Sequence, residues 1–166
     1  KYGGQIGLQN TITLFRDPVE QVISHYRHAV RDQGYQGGLI SFARSERARN
    51  VQSHMMADID PALVGIVGLT ESYRETLAII ESRWGWGLRH KKKNVSGKLS
   101  IRPFEVCNED RAEVERLNQA DRLLYARACQ VFSNTWRCFE LGSGADPRGA
   151  ITRADIETGL SGWAFY

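Results

Sequence analysis

The sequence predicts an α/β fold: a helix-rich chain around a parallel sheet flanked by helices. Three observations predict it. Residues 11–15 (TITLF) form a short run rich in β-branched and aromatic types that stops at Arg16-Asp17-Pro18, where a helical stripe begins. Residues 62–69 (ALVGIVGL) form a continuous apolar run, as expected of a strand buried on both faces, and a second helical stripe follows. A third, longer helical pattern occupies the region from Asp110 to Leu141.

Each element follows from local chemistry. Asp17 is a good N-cap and Pro18 a good first helical residue, because proline's missing N–H is not needed there. Val19, Val22, Ile23, Tyr26 and Val30 then form one apolar stripe that ends near Gln33-Gly34. Gly37-Gly38 breaks the chain, and two short helices are expected near 39–46 and 49–57. After the second strand, Thr70 is expected to cap the next helix and Glu71 to favour its positive end. Tyr73, Leu77, Ile80 and Trp84 give that helix its stripe, closed by Gly85 and Gly87. Residues 88–103 are polar and basic, with Gly97 and Pro103, and read as an exposed loop. One long helix is then expected, carrying Val114, Leu117, Leu124, Ala128, Val131, Thr135 and Phe139 on one side and ending at Gly142-Ser143-Gly144. The glycine-rich tail is only weakly patterned.

At 166 residues the chain fits a single domain, 1–166, with a core of ordinary size. A content of 42% hydrophobic and 25% charged residues suits a soluble globular protein. No stretch approaches a membrane span, and no signal-peptide pattern opens the sequence. The net charge of +3 suits anionic ligands without demanding nucleic acid. Three cysteines in no metal-ligand spacing indicate neither zinc nor a disulfide framework. Reduced thiols fit a cytoplasmic setting, and no metal is expected.

The chemistry concentrates where the first strand meets its helix. A helix mouth offers backbone N–H groups and a positive dipole end, and Arg16 adds a planar fork matched to phosphate oxygens. Ser24, two turns beyond Asp17 with Gln21 on the same face, can contribute its hydroxyl. The same residues also fit a plain ion pair between Arg16 and Asp17, with Ser24 merely on the surface. Both readings stand at this point. His25, His28 and His54 are bases by residue type, and Trp84, Trp86 and Trp136 could stack on a ring or pack in the core. No carboxylate pair suits glycoside chemistry, and no Gly-x-Ser-x-Gly motif is present.

Arg16-Asp17-Pro18 with Ser24 and Tyr26 resembles the 3′-phosphate-binding motif of PAPS-dependent sulfotransferases, whose sulfuryl donor is 3′-phosphoadenosine-5′-phosphosulfate. Three further segments carry the resemblance in the same order. Residues 50–55 (NVQSHM) resemble an Asn-x-Gln-Thr/Ser segment of the membrane-type carbohydrate sulfotransferases. Residues 67–80 (VGLTESYRETLAII) resemble their strand-then-helix block, and residues 117–128 (LNQADRLLYARA) a late helix with an Asp-x-x-Leu-Tyr pattern. The resemblance covers roughly residues 11–130.

It implies a P-loop-kinase-like parallel sheet seen without its first strand and loop. Arg16 and Ser24 would hold the donor's 3′-phosphate, and the reaction would be in-line sulfuryl transfer to a hydroxyl, on a carbohydrate. The co-substrate is then PAPS, with no metal and no nucleic-acid partner. In related sulfotransferases a basic, glycine-containing loop closes over the nucleotide, which nominates Lys93, Ser96 and Lys98 as further contacts. Two departures stand out. Gln21 occupies a position where many relatives have arginine, and nothing in residues 1–10 resembles the Lys-Thr/Ser loop that binds the 5′-phosphosulfate. The chain therefore resembles the C-terminal part of a longer domain, expected to be inactive alone. A signal anchor upstream would move the setting to the Golgi lumen, where the Asn94-Val95-Ser96 sequon would matter. The alternative function is a non-catalytic module that binds anions or nucleic acid through Arg16 and the basic run 89–93.

Overall fold

The computed structural model of the chain describes residues 7–86, 88, 105–141 and 163–164. It is helix-rich, with a small parallel sheet flanked by helices. Strand β1 (Thr11–Phe15) pairs in parallel with β2 (Ile66–Leu69), in the register Ile12 to Ile66 through Phe15 to Leu69. A two-residue strand β3 (Trp163–Ala164) pairs in parallel with the other edge of β1, giving the order β2-β1-β3. The weak patterning of the tail hid this third strand.

Helix α1 (Pro18–Gln33) starts as its residues dictate: the Asp17 side chain accepts from the N–H groups of Val19 and Glu20, at 3.0 and 3.1 Å. It stops at Gly34, whose φ of 67° is a left-handed conformation that glycine adopts without a Cβ penalty. Val19, Val22 and Ile23 are buried as expected. The end of the stripe differs: Ala29 is buried while Val30 is exposed. Helix α2 (Leu39–Ala43) and helix α3 (Val51–Met56) are the two expected short pieces.

The second apolar run is strand only in its latter half. Asp60 caps a 3-10 turn over Pro61–Leu63, and all four residues of β2 are buried. Thr70 does not cap the next helix: it still belongs to the strand, its N–H continuing the ladder to the Phe15 carbonyl at 2.9 Å. A turn closes from the Ser72 N–H to the Leu69 carbonyl instead, so helix α4 (Tyr73–Trp84) starts after Ser72. Thr76, fully buried, ties helix to strand: its Oγ1 accepts from the Leu69 N–H at 3.1 Å and donates to the Ser72 carbonyl at 2.9 Å. Gly68 lies so close that an added Cβ would meet Thr76 Cγ2 at 2.4 Å. Ile79 and Ile80 supply the inner face of α4, whereas Tyr73 is 39% exposed.

The expected long helix is two. Helix α5 (Asn108–Leu117) and helix α6 (Gln119–Glu140) meet at Asn118, whose φ and ψ of −121° and 41° interrupt the ladder. Of the expected stripe, Val114, Ala128 and Val131 are buried and Phe139 is exposed. Gly142-Ser143-Gly144, Gly87 and the loop from 89 to 104 lie outside the described residues.

Two apolar clusters result. One joins Ile12 and Phe15 of β1 with β2, α4 and the inner face of α6. The other joins Val19, Val22 and Ile23 of α1 with α2 and with Val114 of α5. No helix among the described residues is long and apolar enough to cross a membrane.

Candidate anion site at the end of the first strand

Arg16 sits one residue past β1, at the carboxyl end of the parallel strands, where ligands of open α/β sheets gather. Its main chain is held by a residue 36 positions away. The Arg16 N–H donates to Gln52 Oε1 at 2.9 Å, and Gln52 Nε2 donates to the Arg16 carbonyl at 2.9 Å. A backbone N–H can only donate and a carbonyl only accept, so this pairing fixes which end of the Gln52 amide faces which group.

The Arg16 side chain is half-buried and makes no hydrogen bond or ion pair among the described residues. The local ion pair with Asp17 is not formed. The Asp17 carboxylate instead caps α1 and lies 3.6 Å from Arg122 Nη1, while Arg122 Nε pairs with Glu115 at 2.8 Å. The Asp17 N–H donates to Glu71 Oε1 at 2.9 Å. Glu71 thus serves α1 and not the start of α4, as its position after β2 had suggested.

One expectation needs correction on physical grounds. The helix mouth does not offer free N–H groups, since Asp17 already takes those of Val19 and Glu20, and the Gln21 N–H bonds the Asp17 carbonyl at 2.9 Å. An anion here must be held by side chains. The half-buried Ser24 hydroxyl is likewise without a hydrogen bond among the described residues.

Arg16 and its helix neighbour interact. His25 is exposed in area, yet its pKa falls below the ordinary 6.5 through desolvation first, then through the charges of Arg16 and His28. The other two histidines are placed differently. His28 pairs with Asp32 on the outer face of α1, and His54 is exposed in the last turn of α3. Trp84 stacks on Trp86 with centroids 4.7 Å apart, and Trp136 on Phe139 at 5.0 Å. Trp84 and Trp136 pack against the core, so neither is a free stacking platform.

Behind Arg16 lies a buried polar hub that the apolar pattern concealed. Asp121, 2% exposed, accepts from the Gln52 N–H at 3.1 Å and from both the N–H and the hydroxyl of Ser53 at 2.7 Å. It therefore caps α3 from another helix, and its charge suits that helix start. Asn50, in the left-handed region at φ 48°, donates its N–H to Asn118 Oδ1 at 2.8 Å and accepts from the Asp121 N–H at 3.3 Å. Asn118 Nδ2 donates to the Val114 carbonyl at 2.8 Å. No buried side-chain N or O atom among the described residues is left unpaired. The signal for this hub was available in the sequence: Asn118 and Asp121 are polar residues at helical spacing from Val114, Leu124 and Ala128.

Tyr125 and Cys129 of α6 also face this end of the sheet. Burial and then the Glu71 charge push the Tyr125 phenol up, and burial raises the Cys129 thiol, so both stay protonated near neutral pH. Cys107, Cys129 and Cys138 form no disulfide among the described residues. Among the described residues no cluster of His, Cys, Asp or Glu could hold a metal ion. A cavity of about 230 Å³ on α4, lined by Arg74, Leu77, Ala78, Glu81 and Leu88, shares no residue with the Arg16 site. Lys93, Ser96 and Lys98, with the rest of the basic run, lie outside the described residues. Compared with models of protein families, with curated proteins and with solved structures, the chain finds no match.

Proposed function

We propose that the chain is the 3′-phosphate-binding part of a PAPS-dependent sulfotransferase acting on an acceptor hydroxyl, with a carbohydrate as the acceptor. The observation that carries the reading is Arg16 itself. Its main chain is clamped, its guanidinium has no anionic partner among the described residues, and the equally unbonded Ser24 hydroxyl lies on the helix that follows. A cation kept from its own acidic neighbour is available for a ligand anion. A doubly negative phosphate can accept both the planar fork of the arginine and the hydroxyl. Further support comes from two resemblance-bearing segments that are distant in sequence: Asn50, Gln52 and Ser53 contact Asn118 and Asp121.

In this reading the parallel sheet belongs to a P-loop-kinase-like fold. The 5′-phosphosulfate is held by a Lys-Thr/Ser loop that residues 1–10 do not carry. The resemblance nominates Lys93, Ser96 and Lys98, which lie outside the described residues, as further nucleotide contacts, and the setting is cytoplasmic, or the Golgi lumen where a signal anchor precedes the domain. The chain's own residues bind and orient the donor. Arg16 and Ser24 fix the nucleotide end, so that the sulfuryl group presents in line to the acceptor, and positioning supplies a large share of the rate.

Calorimetry tests the reading. Wild-type chain should bind 3′-phosphoadenosine 5′-phosphate, and Arg16→Ala should weaken it by about 1.5–3 kcal/mol, as for loss of a charged hydrogen-bond partner. Ser24→Ala should weaken it less. Adenosine 5′-phosphosulfate, which lacks the 3′-phosphate, should be indifferent to both changes. Equal competition by generic polyanions would favour the non-catalytic anion-binding module, and wild-type affinity in both variants would remove the site.

A further inference from the structure

We propose that Gln52 is a positioning residue for the Arg16 guanidinium, an inference that rests on the reading of Arg16 as a phosphate contact. The β ladder ends at the bond from the Thr70 N–H to the Phe15 carbonyl, so Arg16 is the first residue of β1's extension without a strand partner across that bond. Gln52 replaces the missing strand. Its carboxamide presents an NH2 donor and a carbonyl acceptor side by side in one plane, and it binds the N–H and the carbonyl of the same residue, each at 2.9 Å. Those two groups belong to the two peptide planes on either side of the Arg16 Cα. Fixing both planes fixes the direction in which the Cα–Cβ bond leaves the chain. The long side chain therefore departs toward one place and loses less freedom when it meets an anion.

Gln52 can do this because it is itself held at both ends. The residue is 7% exposed, and its N–H is bound by Asp121 Oδ2 at 3.1 Å. Asp121 in turn binds Ser53 twice, which anchors the first turn of α3 and keeps the Gln52 amide at the end of β1. The path runs from the α6 carboxylate through α3 to the arginine, with hydrogen bonds at every step. None of these residues need touch the ligand.

A thermodynamic cycle read by calorimetry tests the inference, with 3′-phosphoadenosine 5′-phosphate as probe and each variant checked as folded by circular dichroism. Gln52→Leu keeps much of the volume and removes both bonds. It should weaken binding about tenfold, yet change it less than about twofold in an Arg16→Ala background, the coupling expected of residues acting through one another. Gln52→Glu, nearly isosteric, cannot donate to the Arg16 carbonyl when ionised and should also weaken binding. It keeps the question answerable where Gln52→Leu does not fold. Adenosine 5′-phosphate should bind all variants alike. Weak binding by Arg16→Ala with wild-type affinity in both Gln52 variants overturns the positioning role and leaves the phosphate site standing. Equal losses in both Arg16 backgrounds also overturn it, marking Gln52 as purely structural. Unchanged affinity in Arg16→Ala itself removes the underlying site.

Discussion

Asp121 is the residue on which the local architecture depends most heavily, and replacing it tests that dependence directly. The carboxylate is 2% exposed and accepts three hydrogen bonds, from the Gln52 N–H at 3.1 Å and from the Ser53 N–H and hydroxyl at 2.7 Å. In Asp121→Ala the two amides at the start of α3 and the Ser53 hydroxyl lose the acceptor they share. Hydrogen bonds to a charged group contribute about 1.5–3 kcal/mol each, but they are not additive, and burying the carboxylate offsets part of the gain. The net loss should be about 2–4 kcal/mol, since the neutral N–H groups left behind cost about 1–3 kcal/mol each where they stay buried and less where water reaches them. Asp121→Asn preserves shape and keeps one acceptor for Ser53, but turns an NH2 toward the Gln52 N–H. It should lose about 1–3 kcal/mol, the penalty of one unsatisfied buried group. Urea unfolding followed by far-UV circular dichroism gives both values. For a chain of this size, each 1 kcal/mol should also lower Tm by about 2–4 °C. A stability for Asp121→Asn within about 0.5 kcal/mol of wild type would refute the idea that α3 is capped from α6.

Two further outcomes follow from other parts of the fold. Gly68→Ala should destabilise by about 1–3 kcal/mol, since its Cβ would lie 2.4 Å from Thr76 Cγ2, and Thr76→Ser in the same chain should recover much of that loss by removing the methyl while keeping Oγ1. Chemical denaturation of the single and double variants decides it, and simple additivity would show that the two sites do not collide. His25 should titrate below 6.5 in NMR, so it favours the neutral form in the fold and stability should be lost as pH falls through its folded value. A phosphate held beside Arg16 adds negative charge there and should raise the His25 midpoint, whereas an unmoved midpoint at saturating nucleotide would place the anion elsewhere.

The strand ends and helix starts that depend on a single residue were legible in the sequence. Asp17-Pro18 could hardly do anything but open a helix, and Gly34 and Gly85 close theirs in the left-handed conformation that the pattern leads one to expect. What escaped was decided by partners far along the chain. Thr70 looks like a cap until β1 claims its N–H, and the α5–α6 break is invisible while Asn118 is read only against its own helix. Val30 continues a stripe on paper, yet α1 turns Ala29 inward instead. The site followed the same rule. Arg16 and Ser24 stand out by type and spacing, whereas Gln52 and Asp121 matter only because α3 and α6 meet. A two-residue strand such as β3 carries too few residues for any alternation to register.

The partition of the interior into two clusters bears on how the molecule opens. Phe15 is packed in one cluster and Val19 in the other, and only Arg16, Asp17 and Pro18 separate them along the chain. Segments with separate cores tend to exchange their amide protons as separate cooperative units, each with its own opening free energy. The short connection at Arg16, reinforced by the Gln52 amide, is then a seam between two such units. A ligand gripped by Arg16 on one side and Ser24 on the other would bridge it. Occupancy would slow exchange in both units together, including at amides buried far from any bound atom.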